Sequence, residues 1–121
     1  MLVTVVVVAC SGSALPAYAA EHTTPHATTL DDLPPLKLAI QRHLVIEANP
    51  TVYIAQARIG ESGTIYLCGL TDGGNFRPAV LFFAEKRNGT IEIMALDKNP
   101  KVDDIAKTLC DTHGFRTPIP G

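Results

Sequence analysis

Two thiols, one polar loop and one histidine near a run of small residues are the groups in this 121-residue chain whose types and spacing can do chemistry. Cys68 and Cys110 stand about 40 residues apart, and neither belongs to a Cys-x-x-Cys pair. In an oxidising compartment such a pair reads as a disulfide; in a reducing one it reads as a nucleophile or a metal ligand. A bridge closing a loop of this length stabilises by about 4 kcal/mol in the chain-entropy model, a large share of the roughly 5–15 kcal/mol a domain holds. From Gly69 to Arg77 the chain presents Asp72, Asn75, Phe76 and Arg77, with Thr71, just beyond Cys68. Side chains held on a loop by a rigid scaffold often bind partners, which makes these four the candidate binding residues. The plainer alternative is a long hairpin connection that meets no partner.

The templates for catalysis are absent. Asp72-Gly73-Gly74-Asn75 lacks the following helix with which a glycine-rich loop holds phosphate, and there is no Gly-x-Ser-x-Gly elbow. His43 and His113 stand alone on expected helices, where a lone His is ordinarily a solvated or capping residue. Asp103-Asp104 looks like a carboxylate pair, but adjacent helical residues point apart, and two acids near a helix start answer to the dipole. Asn88-Gly89-Thr90 fits the N-glycosylation pattern and, more simply, a hairpin turn. The expectation is a protein that is not an enzyme and needs no cofactor.

Which of the two readings of the cysteines applies depends on compartment, and the first twenty residues bear on that. Leu2 to Ala9 is an apolar run, and small residues follow it up to Ala17-Tyr18-Ala19-Ala20, although no Lys or Arg opens the segment. Residues 1–19 are therefore expected to be a signal peptide cut after Ala19. Val7-Val8-Ala9-Cys10 fits a bacterial lipobox, so lipidation of Cys10 is the competing route and the one way the protein would meet a membrane. The run is well short of the ~20 apolar residues of a spanning helix. The expected location is the periplasm or the exterior, with a lipid anchor to the envelope as the alternative. There Cys68 and Cys110 are expected to pair. A cut after Ala19 also leaves Ala20-Glu21-His22 at the new N-terminus. A free amine with His in third place can chelate Cu(II) or Ni(II) in a square plane, and His26 offers a further nitrogen. The plainer view of His22 is an ordinary tether residue, and lipidation at Cys10 would remove the site.

All twelve acids and ten bases lie beyond residue 20, so the exported part keeps the net charge of −2. Lys and Arg are scattered singly, which argues against nucleic acid as a partner. Without its leader the chain has about 100 residues, one domain by size, and so a thin core.

Those elements must position the candidate residues. Residues 20–29 (AEHTTPHATT) lack large apolar groups and read as a flexible tether before a single domain over 30–121. Thr29 and Asp32 have capping-box spacing, Pro34-Pro35 suits a first turn, and Leu36, Ile40 and Leu44 form a helical stripe that Asn49-Pro50 ends. Four strands follow, over residues 51–59, 64–68, 78–85 and 90–97, with turns at Glu61-Ser62-Gly63 and Asn88-Gly89. Asn99 and Pro100 open a last helix with a stripe of Val102, Ile105, Ala106 and Leu109, ended by Gly114. The expected fold is α+β: a helix, a four-stranded antiparallel meander and a C-terminal helix, with both helices on one face.

Around the loop the chain resembles a group of small exported bacterial proteins of unassigned function. They share an Asn/Asp-Pro step, a strand ending Cys-Gly, an Asn-bearing loop, an aromatic strand and a late second Cys. Here those are Asn49-Pro50, Cys68-Gly69, Asn75, Phe83 and Cys110. The resemblance implies that the cysteines pair, and implies nothing catalytic. Leu70-Thr71-Asp72 and Arg77-Pro78 stand where those proteins carry Val-Asn and a Gly/Tyr-rich loop. Tyr66-Leu67-Cys68 is similar to the Tyr-x-Cys strand of bacterial c-type lysozyme inhibitors, exported and disulfide-bonded β-barrels. No Ser-Gly-x-x-Tyr follows it here, and the chain ends in a helix. The function expected is that of an exported, non-catalytic envelope or periplasmic protein acting by binding or structural support, its partner an envelope or secreted protein. The alternatives are an inhibitor of a secreted hydrolase working through Gly69 to Arg77, and a hydrolase of unrecognised type.

Overall fold

The computed structural model describes residues 22–116, which run β1 (Thr23–His26), α1 (Leu33–Leu44), β2 (Val52–Gly60), β3 (Ile65–Thr71), β4 (Val80–Arg87), β5 (Thr90–Leu96) and α2 (Ile105–Thr112). The expected leader over 1–19, with Cys10, lies outside the described residues. The five strands form one antiparallel sheet in chain order. No helix of the described residues is long and apolar enough to cross a membrane.

The fold class is α+β as expected, but the sheet has five strands where four are expected. The fifth is β1, which lies inside the expected tether. It pairs with the outer edge of β2, Thr23 opposite Gly60 and His26 opposite Ala57. Main-chain pairing needs no large side chain, and Pro is tolerated in an edge strand. One side chain does anchor it. Thr23 is buried; its Oγ1 donates to the His113 carbonyl (2.7 Å) and accepts from Arg58 Nε (2.7 Å). Arg58 Nη2 also donates to the Thr23 carbonyl (2.9 Å).

The helices lie on opposite faces, not on one. Leu36, Ala39 and Ile40 of α1 pack with Leu67, Phe82 and Ala84. Ala106 and Cys110 of α2 pack with Tyr66, Cys68 and Phe83. The central strands are apolar at successive positions, so alternate side chains need cover on both sides. Phe82 and Phe83 are both fully buried, one in each layer.

The disulfide forms as expected. Cys68 on β3 and Cys110 on α2 are bonded, with Cα atoms 5.9 Å apart and both residues fully buried. On the other face Asp32, the residue just before α1, is tied to β4 by an ion pair between its Oδ1 and Lys86 Nζ (2.7 Å). The hydrogen bond from this ammonium holds the Asp32 carboxyl below its ordinary range.

Two helix ends differ from expectation. α2 begins at Ile105, because Pro100 and its neighbours form a separate turn. Asn99 caps that turn, its Oδ1 accepting from Lys101 N (3.2 Å), while the carboxylate of Asp97 takes the N–H groups of Ala106 and Lys107. Val102 and Ile105 of the expected stripe are consequently exposed. The first helix stops at Leu44, before Asn49-Pro50, because Val45 turns left-handed at φ 56° and Ile46 N closes onto the Gln41 carbonyl. A β-branched residue is costly there. Val45 is 88% exposed, so its side chain contributes little packing. Val45→Asn should therefore raise unfolding free energy by about 1 kcal/mol, read as a rise in Tm of roughly 4–8 °C. An unchanged Tm would show that the left-handed turn costs nothing.

Candidate functional site

The turn chemistry between β3 and β4 explains why the loop holds its shape. Thr71 is fully buried; its Oγ1 donates to the Thr51 carbonyl (2.7 Å) and accepts from Gly73 N (2.9 Å). Asp72 Oδ1 accepts from Thr51 N and from Gly74 N, both at 2.8 Å. The Asp72 carbonyl accepts from Asn75 N and Phe76 N. Burial pushes the Asp72 carboxyl up, but the N–H groups of Thr51 and Gly74, with the charge of Arg77, outweigh this and hold it below its ordinary range. The successive N–H groups of residues 73–76 are thus spent inside the loop and do not form an anion-binding nest.

Gly73 and Gly74 have φ of 54° and 90°, which glycine adopts without penalty. A Cβ at Gly73 would stand 2.7 Å from the Phe76 ring, so the glycine also makes room for that ring to fold back. A Cβ at Gly74 would crowd Ala48 and Ile46, which places the loop against the segment after α1.

Asp72, Asn75, Phe76 and Arg77, the four expected binding residues, line one groove of about 470 Å3. Their roles divide. Asp72 organises the loop, and Phe76 is half-buried against the α1-side core. Asn75 and Arg77 are exposed, and Arg77 joins Pro78 through a cis peptide bond. Tyr53, which no motif singles out, lines the same groove and is 59% exposed. It is the extra residue of a β-bulge: Val52 pairs with Thr71 and Ile54 with Leu70, which leaves Tyr53 without a partner on β3. Its only trace in the sequence is that it stands within three consecutive β-formers, Val52-Tyr53-Ile54.

The remaining candidates are scattered. His43 is exposed on α1. His113 is half-buried at the end of α2, its ring 4.4 Å from Tyr66 and 4.8 Å from Phe83 between centroids, with Nδ1 2.7 Å from the Leu109 carbonyl. Asp103 accepts from Asn99 N, and Asp104 precedes α2. Asn88 and Gly89 make the β4–β5 turn with φ of 52° and 79°. His22, just before β1, and His26, its last residue, are both exposed. Among the described residues no three His, Cys, Asp or Glu side chains gather as a metal site. Comparison with family models, curated proteins and solved structures returns no match to this chain.

Proposed function

We propose that this is an exported, non-catalytic binding protein whose contact surface is the groove between Tyr53 and Arg77. One observation carries the reading: an aromatic ring, an amide and a guanidinium stand exposed around a loop whose own polar groups are already satisfied. A surface ordered before contact loses less entropy on binding, and Tyr and Arg are the residue types that dominate interface energies. The partner expected is an envelope or secreted protein. If that partner is a hydrolase, the same pre-ordered loop acts as an inhibitor.

The test is affinity measurement on the partner captured from native envelope extract. Wild-type protein should retain one stoichiometric partner, and Tyr53→Ala and Arg77→Ala should each weaken it by about 2 kcal/mol, or roughly 30-fold. Hydrolase activity lost on adding the protein would identify the inhibitor form. Equal affinity of wild type and both variants would remove the groove from the reading.

A further inference from the structure

The sheet ends on one side at β5, which among the described residues pairs only with β4. Arg87 and Thr90 flank the two-residue Asn88-Gly89 turn and so form a hydrogen-bonded pair, from which the ladder alternates. Glu92 therefore bonds back to β4, while the N–H and C=O groups of Ile91 and Ile93 point out of the sheet. Met94 is the extra residue of a bulge, since Ala84 pairs with Ile93 and Phe83 with Ala95. The regular open edge thus runs from Thr90 to Ile93, about 13 Å of strand.

A helix walls this edge. Ala39, Arg42 and His43 of α1 line a groove of about 350 Å3 together with Ile91 and Ile93. Both isoleucine side chains are buried in the core under α1. Arg42 and His43 are exposed, and neither has an ion pair or a side-chain hydrogen bond among the described residues. We propose that the free edge of β5 accepts an extended, acidic segment of another protein as a sixth strand, with an acidic side chain turned toward Arg42 and His43. An antiparallel segment opposite Ile91 and Ile93 gains four main-chain hydrogen bonds, and its alternate side chains stand on the α1 side. The positive charge of that wall selects the acidic segment. The same charges oppose a second copy of this chain. The register that pairs both isoleucines with those of a copy sets Glu92 directly opposite its own counterpart, and it brings two Arg42-bearing helices onto one side of the joined sheet. Like charges facing each other across strands are destabilising.

This edge is separate from the Tyr53–Arg77 groove: Thr90 to Ile93 lie opposite Ala84 to Arg87, whereas the groove opens before Val80, at the other end of β4. Failure of either surface leaves the other standing. The probe is a capped eight-residue peptide that alternates Glu with Val, added to the disulfide-bonded protein. It should slow amide exchange at Ile91 and Ile93 and leave Glu92 unchanged, because only the first two donate outward. Arg42→Glu, a change at an exposed position, should weaken binding roughly tenfold or more. The same peptide with Lys in place of Glu, and the Glu peptide N-methylated at alternate bonds, should both fail to bind. Equal affinity of wild type and Arg42→Glu overturns the acidic preference, and full binding of the N-methylated peptide overturns strand addition. No binding at millimolar peptide overturns the proposal outright. Protection of Ile91 and Ile93 without peptide overturns it too, since this chain or a second copy would then fill the edge.

Discussion

Replacing both Cys68 and Cys110 by Ala should lower the free energy of unfolding by about 4 kcal/mol. The bond spans 42 residues, which covers β4, β5 and most of α2. Without it the unfolded chain regains the freedom of that whole loop. The folded state also loses a link between two fully buried positions, one on the third strand and one on a helix of only eight residues. A helix that short is marginal by itself and depends on what it packs against. With a urea m-value of about 1–2 kcal/mol/M, the midpoint should fall by roughly 2 M or more. Chemical reduction of the wild-type protein should reproduce the shift. A fall of less than about 1 kcal/mol would mean that packing of Ala106 and Phe115 holds this layer without the bond.

The second large effect is expected at Asp97. This residue is 4% exposed, and its two carboxylate oxygens accept from Ala106 N at 2.9 Å and Lys107 N at 3.2 Å. It therefore satisfies first-turn N–H groups of α2 from the end of β5. Asp97→Ala should cost about 2–3 kcal/mol, because it leaves a buried donor unpaired and removes a charge from the positive end of the helix. Asp97→Asn keeps one acceptor and should fall between the two. Amide exchange in α2 should rise more than exchange in β3 and β4. Equal stability of wild type and Asp97→Ala would show that water or Asp104 replaces the cap.

How much of this was legible in the sequence depends on how local each feature is. Strands β2 to β5, the Asn88-Gly89 turn and both helices follow from short-range pattern. The two-sided burial was misread as a single covered face, although the pattern for it is present. Val80 to Ala84 contains no polar residue, and helices stacked on one face would leave Phe83 in water. β1 was not legible: Thr-Thr-Pro-His has no apolar pattern, and main-chain pairing leaves no trace in side-chain type. The cap on α2 was hidden for a related reason, since Asp97 reaches over the turn at Pro100 to Ala106, nine positions further along the chain. The candidate groove shows the same division. Asp72, Asn75, Phe76 and Arg77 meet because they share a loop, whereas Tyr53 joins them only through a strand pairing and a bulge.

The anchoring of Thr23 against His113 also fixes which way the molecule points. Both ends of the described chain meet beside Gly60, near the Ile65 end of β3, and the groove opens beyond Thr71 at the opposite end. Seven residues of strand lie between, a distance of about 20 Å. A molecule held by its first residues, to a surface or to a fused carrier, would therefore stand upright like a post, with Tyr53 and Arg77 at its free tip.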